Sequence, residues 1–250
     1  MRPWIESVVL LAGGRGSRLG GAWKALLVHD GATLLSNALG ALAGHLPHAR
    51  VVVVGPDALQ PALAACPHGS HVRLTREEPP FAGPLAAVAA GVAAAESAAG
   101  PVADPAPDAA LPGPALTLLL AVDYIHPEGI VAALAGQAAG LLAAGHSADA
   151  SGAPGPDALV PLDASGRQQP LASLWRSDSL RRALEAAAVP ASGTEAAVPL
   201  SARLADAPMR RITRADGVVV RSWRTADAQL FDDVDTWEDA AANGIGRGSA

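Results

Sequence analysis

The apolar run at residues 5–12 stops abruptly at Gly13-Gly14, and the same grammar then recurs: a short buried run, a polar loop, a segment of helical period. A short run of β-branched residues and leucine closed by glycine reads as a strand buried on both faces. Residues 50–54 and the strongly apolar 115–122 read as further strands, and residues 71–75 alternate enough to be another. Between them, residues 33–44, with Thr33 as a cap, and residues 84–95, with Pro84 in the first turn, read as helices. Strands that alternate with helices need crossovers, and crossovers build a mostly parallel, doubly wound sheet with helices on both faces. The expected fold is therefore α/β and Rossmann-like. Ligands of such sheets bind beyond the carboxyl ends of the strands, which singles out the loops at residues 13–24, 76–83 and 123–126.

The second half is less regular. Residues 127–134 and 178–188 read as helices, and residues 158–162 and 171–175 as strands around a polar turn at 163–169. Residues 209–223 read as two strands around Asp216-Gly217, with a short helix starting near Thr236. The Ala-, Pro- and Gly-rich stretches 97–114 and 145–156 read as irregular surface insertions.

Bulk properties narrow the functional classes. A net charge of −6 and a pI near 5.6 argue against non-specific attraction to nucleic acid or anionic lipid. Cys66 is the single cysteine, so neither an intrachain disulfide nor a thiolate metal cluster is expected, which suits a reducing cytoplasm. Arg2 precedes an apolar run that Glu6 interrupts, a poor signal peptide. The longest charge-free stretch, residues 129–148, is mostly Ala and Gly, weak as a membrane span, and reads as a helix plus an insertion.

The loop after the first strand carries Leu11-Ala12-Gly13-Gly14-Arg15-Gly16-Ser17-Arg18-Leu19-Gly20, and Lys24 follows. Glycines let the backbone approach a ligand closely, and successive N–H groups in such a loop can hold phosphate oxygens. Arg15, Arg18 and Lys24 add positive charge where a triphosphate needs it. Neither the P-loop spacing nor the three-glycine dinucleotide fingerprint fits. Downstream, Gly83-Pro84 opens a helix whose free N–H groups face the same end of the sheet, preceded by Glu77-Glu78. These two carboxylates read equally well as acceptors for a ligand in the cleft and as an exposed acidic turn. Asp123, at the end of the strand at 115–122, stands where Mg²⁺ would bridge it to phosphates, unless it caps the next helix. His126 has no His or Cys partner at ligand spacing and reads as a loop or capping residue.

Together these residues give a specific resemblance. Leu11 to Gly16, Ser17-Arg18-Leu19-Gly20 and Lys24-Ala25-Leu26-Leu27 resemble the LAGGxxSRxG…KxLL signature of the GT-A-like nucleotidyltransferases, and of their MobA-like members in particular. Trp23 stands where that family often has an acidic residue. Glu78 and Gly83-Pro84-Leu85 resemble the family's D/E…GPLAG stretch, which implies that Glu78, in preference to Glu77, accepts the N1–H and exocyclic amine of guanine. Asp123 matches the aspartate of its CDxPF motif, with Val122 in place of Cys and Ile125-His126-Pro127 in place of Pro-Phe. Asp233, Asp235, Thr236, Glu238 and Asp239 resemble its closing N/D-x-N/D-T-x-E-D motif, although Asp235 or Thr236 as a helix cap explains part of it. Arg167, Gln169, Pro170 and Leu171 resemble a G-R-x-Q-P-L stretch of the acceptor half, where a plain β-turn accounts equally well for residues 163–166.

The resemblance spans roughly residues 7–240 and implies a single domain over 1–245, with a nucleotide-binding half to about 125 and an acceptor half beyond it. It implies a Mg²⁺-dependent guanylyl transfer from GTP to molybdopterin with release of pyrophosphate. Leu11, Ala12, Gly13, Gly14, Arg15, Gly16, Glu78, Gly83 and Pro84 would hold the nucleotide. Lys24 and Arg18 would neutralise the triphosphate, Asp123 and Asp233 would hold the metal, and Arg167 and Gln169 would face the acceptor. A cytidylyl or other nucleotidyltransferase, or a nucleotide-binding module without turnover, remains as an alternative.

Overall fold

The computed structural model describes residues 5–14, 16–97, 115–144, 155–190, 198–225, 227 and 229–247. Along them run β1 (Ile5–Leu11), β2 (Leu27–His29), β3 (Ala32–Thr33), α1 (Leu34–His45), β4 (Arg50–Val54), α2 (Gln60–Ala65), β5 (Val72–Thr75) and α3 (Pro84–Ser97). The second half adds β6 (Leu116–Ala121), α4 (Pro127–Ala143), β7 (Ala158–Leu162), β8 (Ala172–Arg176), α5 (Ser177–Ala187), α6 (Leu200–Arg203), α7 (Arg210–Thr213), β9 (Val220–Arg224), α8 (Trp237–Ala242) and β10 (Gly246–Arg247). Among the described residues the main sheet has seven strands in the order β5-β4-β1-β6-β8-β7-β9. Only β8 runs against the others, pairing antiparallel with β6 and β7. The fold is the α/β, mostly parallel sheet that the strand–helix alternation predicts.

Both faces of the sheet are covered at its centre, which is why β1, β4 and β6 read as mostly apolar runs rather than alternating ones. Successive β1 side chains go to opposite sides. Val8 and Leu10 join α1 and α4 through Leu35, Leu39, Ile130 and Leu134. Val9 and Leu11 join α3, α5 and α7 through Leu85, Val88, Leu180, Leu184 and Ile212. The helix expected to end at Leu134 continues to Ala143, because Ala138 and Leu141 extend its buried stripe.

Residues 209–223 depart from expectation. Only β9 forms there, and Arg210–Thr213 is helical because Met209 and Ile212, three positions apart, are both buried in the same core. A second, three-stranded sheet, β10-β2-β3, also escaped the sequence reading. Its strands are two or three residues long, too short for a period to show. Of the insertions expected at 97–114 and 145–156, residues 98–114 and 145–154 lie outside the described residues, and Ser97 ends α3. Among the described residues, no helix is long and apolar enough to cross a membrane.

The strand order reverses between β1 and β6, since β4 and β5 lie on one side of β1 and β6 on the other. Such a switch point leaves a crevice at the strand ends. The backbone continues the ladder just past it, with Ala12 N donating to Val54 O (2.8 Å) and Val122 N to Leu11 O (3.0 Å). The glycine loop and Asp123 therefore leave the sheet side by side.

Gly91 of α3 tests how closely this layer packs. A Cβ there would lie 2.4 Å from Val9 Cγ1 and 2.9 Å from Val54 Cγ2. Gly91→Ala should destabilise the protein by about 1–3 kcal/mol through overpacking, while Gly136→Ala, with nothing within 4 Å, should be neutral or stabilising. Thermal unfolding of the two variants checks this, and equal melting temperatures would contradict the packing.

Candidate active site

The glycine loop is shaped by its own backbone. Gly16 has φ +52°, and a Cβ there would lie 2.1 Å from the Ala22 carbonyl oxygen, so only glycine fits. Its carbonyl accepts from Leu19 N (2.7 Å) and Gly21 N (3.0 Å), folding residues 16–21 into a compact hook. Leu19, fully buried, pins the hook to a small core with Leu27, Leu34, Ile125, Val234 and Ile245. Lys24 follows on a 3-10 turn, Lys24–Leu26, whose buried Ala25 faces the main core.

A cavity of about 510 Å³ opens at the switch point, lined by Leu11, Gly13, Gly14, Lys24, Gly83, Pro84 and Asp123 from the predicted set. Glu77, Phe81, Ala87, Ala121, Val122, Leu171 and Asp206 complete its wall. Ala12 and Gly16 are buried beneath the loop and do not line it, and Glu78 points outward, exposed. Arg15 lies outside the described residues.

At the cavity floor Lys24 Nζ donates to Asp123 Oδ2 at 2.8 Å and to Asp235 Oδ1 at 2.5 Å. Arg18, largely exposed, reaches Asp235 Oδ2 at 3.4 Å. Burial alone would lower the Lys24 pKa, but the Asp123 charge, together with hydrogen bonds to Asp123 and Asp235, raises it overall, so the ammonium is firmly protonated. Asp123, Asp233 and Asp235 offer carboxylate oxygens within 4.8 Å of one another. They meet because the chain zips there: Ile125 N donates to Asp232 O and Val234 N to Asp123 O. Much of Asp233's surface reaches solvent, yet protein atoms crowd its carboxyl. That burial, with the charges of Asp123 and Asp235, pushes its pKa up to about 6.

This donor set fits a hard divalent cation. Oxygens on an octahedral Mg²⁺ stand about 3 to 4 Å apart, within reach of the triad by small side-chain shifts. The capping alternatives resolve differently. Thr236 caps α8, in a capping box with Asp239, which leaves Asp235 to Lys24. The residue at the start of α4 is His126, not Asp123.

At the other end of the cavity, Glu77 is 5% exposed and accepts from Phe81 N (2.8 Å). Phe81 has φ +62°, a left-handed conformation that this bond helps to hold. Its ring lies parallel to Trp23, with centroids 6.4 Å apart and planes 7° from parallel, and Arg76 sits 5.0 Å from its centroid. Trp23 thus joins the glycine loop to the second loop. Outside the cavity lining, Gln169 accepts from Tyr124 Oη (3.2 Å) and donates to Asp163 (2.7 Å), while Arg167 is exposed. Burial, then the charges of Asp123, Asp233 and Asp163, raises the Tyr124 pKa, so its hydroxyl remains a donor.

Four residues at the site were not singled out from the sequence. Asp235 had been weighed only as a cap, Glu77 only as the lesser of two glutamates, and Phe81 and Asp206 not at all. An aspartate two positions after Asp233 was the available signal for the first; nothing in Ala205-Asp206-Ala207 marks the last.

A doubly wound sheet whose switch point carries a glycine hook, a half-buried lysine and a carboxylate triad defines a nucleotidyltransferase-like protein. The chain belongs to the family described as the MobA-like NTP transferase domain, whose model matches residues 8–207. Solved structures share the fold. Rv0371c from Mycobacterium tuberculosis H37Rv is 19% identical over 95% of this chain and 97% of its own, with a TM-score of 0.59. Its homolog from Mycobacterium sp. strain JC1 is 21% identical over 94% and 93%, with a TM-score of 0.56. The bifunctional IspDF from Campylobacter jejuni is 12% identical over 96% of this chain and 55% of its own, also at 0.56. No curated protein matches the chain in sequence.

The crowding of Asp233 has a measurable consequence. With its folded pKa raised from 3.8 to about 6, its charge costs the folded state above pH 6, and that cost vanishes below pH 3.8, where both states are protonated. In chelator-treated protein, Asp233→Asn should therefore raise the melting temperature near pH 7.5 by roughly 2–4 °C, about 1 kcal/mol after solvent screening. The gain should shrink as pH falls through about 6. A constant difference across that range would contradict the crowding. Added Mg²⁺ or Mn²⁺ should stabilise the wild type more than the variant.

Proposed function

We propose that this protein is a Mg²⁺-dependent transferase that moves GMP from GTP to the terminal phosphate of molybdopterin and releases pyrophosphate, acting in the cytoplasm. The observation that carries the reading is the meeting of Lys24 and Asp123, 2.8 Å apart, on the floor of a cavity rimmed by Gly13 and Gly14. Family membership supports the reaction class, and Rv0371c has been crystallised as a complex with manganese.

In this reading the triphosphate lies along Gly13 and Gly14, whose N–H groups meet its oxygens, with Arg15 adding charge. An acceptor phosphate oxygen bonds to the α-phosphorus as the bond from that phosphorus to the bridging β-oxygen breaks, and pyrophosphate leaves with the electron pair. The acceptor is already anionic at neutral pH, so no proton needs to be removed and no side chain serves as nucleophile. Catalysis rests on positioning and on charge neutralisation. Mg²⁺ held by Asp123 and Asp233 would supply charge at the α-phosphate. Lys24 then exchanges its carboxylate partners for the departing pyrophosphate, helped by Arg18. Asp235 is the residue that stores Lys24 beforehand. Arg167 and Gln169 receive the acceptor phosphate, with Gln169 oriented by Tyr124 and Asp163.

Asp123→Ala should lower pyrophosphate release from GTP and molybdopterin by at least about 10²-fold without changing the circular dichroism of the fold. Turnover retained in that variant would overturn the assignment. Turnover by the wild type with CTP but not GTP would replace the donor nucleotide and leave the class intact.

A further inference from the structure

We infer that Asp206 reads the nucleobase, and that the end of the cavity it shares with Glu77 and Phe81 takes a base whose edge presents adjacent N–H donors, guanine before the other three. The inference rests on the nucleotide reading proposed above and adds a residue from outside the motifs that suggested it.

The cavity has two chemically distinct ends. At one, Lys24 bonds Asp123 beside Gly13 and Gly14; at the other, Phe81 N bonds Glu77 and Asp206 N bonds Ala82 O, beside Gly83. The second end carries two carboxylates and no basic lining residue, so it repels a polyphosphate despite the α3 N-terminus beside it. An uncharged, donor-rich, flat group suits it. A carboxylate in this position opposes uracil, cytosine and adenine, each of which places a ring acceptor or carbonyl beside its donor. Guanine N1–H and N2–H lie together and match both oxygens of one carboxylate.

Of the two acids, Glu77 already spends Oε1 on Phe81 N. Among the described residues, no side chain or backbone group bonds the Asp206 carboxylate. Its backbone is nevertheless held firmly against the second loop. Asp206 N donates to Ala82 O at 2.7 Å, and Ser201 Oγ donates to Glu78 O at 3.1 Å, so both ends of the 201–206 segment are fastened there. Asp206 itself adopts φ +56°, in the left-handed region that aspartate and asparagine enter more readily than other residues with a Cβ. Asp206, exposed and with its carboxylate unbonded, is thus fixed by its backbone among the residues that line the cavity.

Titration calorimetry with GTP, ATP, CTP and UTP in the presence of Mg²⁺ tests the assignment on the intact chain, comparing wild type with Asp206→Asn and Asp206→Gly. Both replacements tolerate the left-handed backbone, so the fold is preserved. The expected result is a wild-type preference for GTP that falls by roughly 10- to 100-fold in both variants, while affinity for the other three changes little. Equal losses for all four nucleotides, or an unchanged preference, would overturn the role of Asp206 and leave the nucleotide reading standing. A wild type that binds no nucleotide would overturn both.

Discussion

Asp123, Asp233 and Asp235 bring three carboxylates within 4.8 Å of one another. At an effective dielectric of about 20, each such pair repels by about 3 kcal/mol. The protein offsets this with Lys24, whose ammonium bonds Asp123 and Asp235 together, and with a raised pKa at Asp233, which the lysine does not bond directly. The remaining negative charge gives the cluster a reason to bind a divalent cation. The hook at Gly16, the buried Leu19 and the bridged segments 123–125 and 232–234 all act to hold that lysine and those carboxylates at one point.

The parallel half of the fold was legible because its physics is local. Strands buried on both faces appear as unbroken apolar runs, α1 shows its Thr33 cap in the open, and α3 opens on Pro84. Legibility failed where packing rather than period decided. Arg210–Thr213 is helical because Met209 and Ile212 are drawn into the core, and no window of that length distinguishes a helical turn from a strand. The small sheet left one trace, the Asp30-Gly31 pair, whose positive φ values of 53° and 79° make the turn between β2 and β3.

The site divides in the same way. Residues placed by the ends of strands, such as Gly13, Gly14 and Asp123, follow from topology and can be read in one dimension. Glu78 and Glu77 show the limit: neighbours on a loop point opposite ways, and only the bond from Phe81 N decides that Glu77 turns inward. Asp206 reaches the cavity through contacts with a loop more than a hundred residues earlier, so no local pattern could reveal it.

The link between Lys24 and Asp235 spans 211 residues, and β10 pairs with β2 across a similar separation. A nascent polypeptide can fold β1, β4, β5 and their helices as they emerge from the ribosome, since those contacts are comparatively local. Its lysine nonetheless remains without its second carboxylate until the far segment has been made. Assembly of the centre therefore comes last in synthesis, and a ribosome that stalls late would leave a well-packed scaffold whose chemistry is still incomplete.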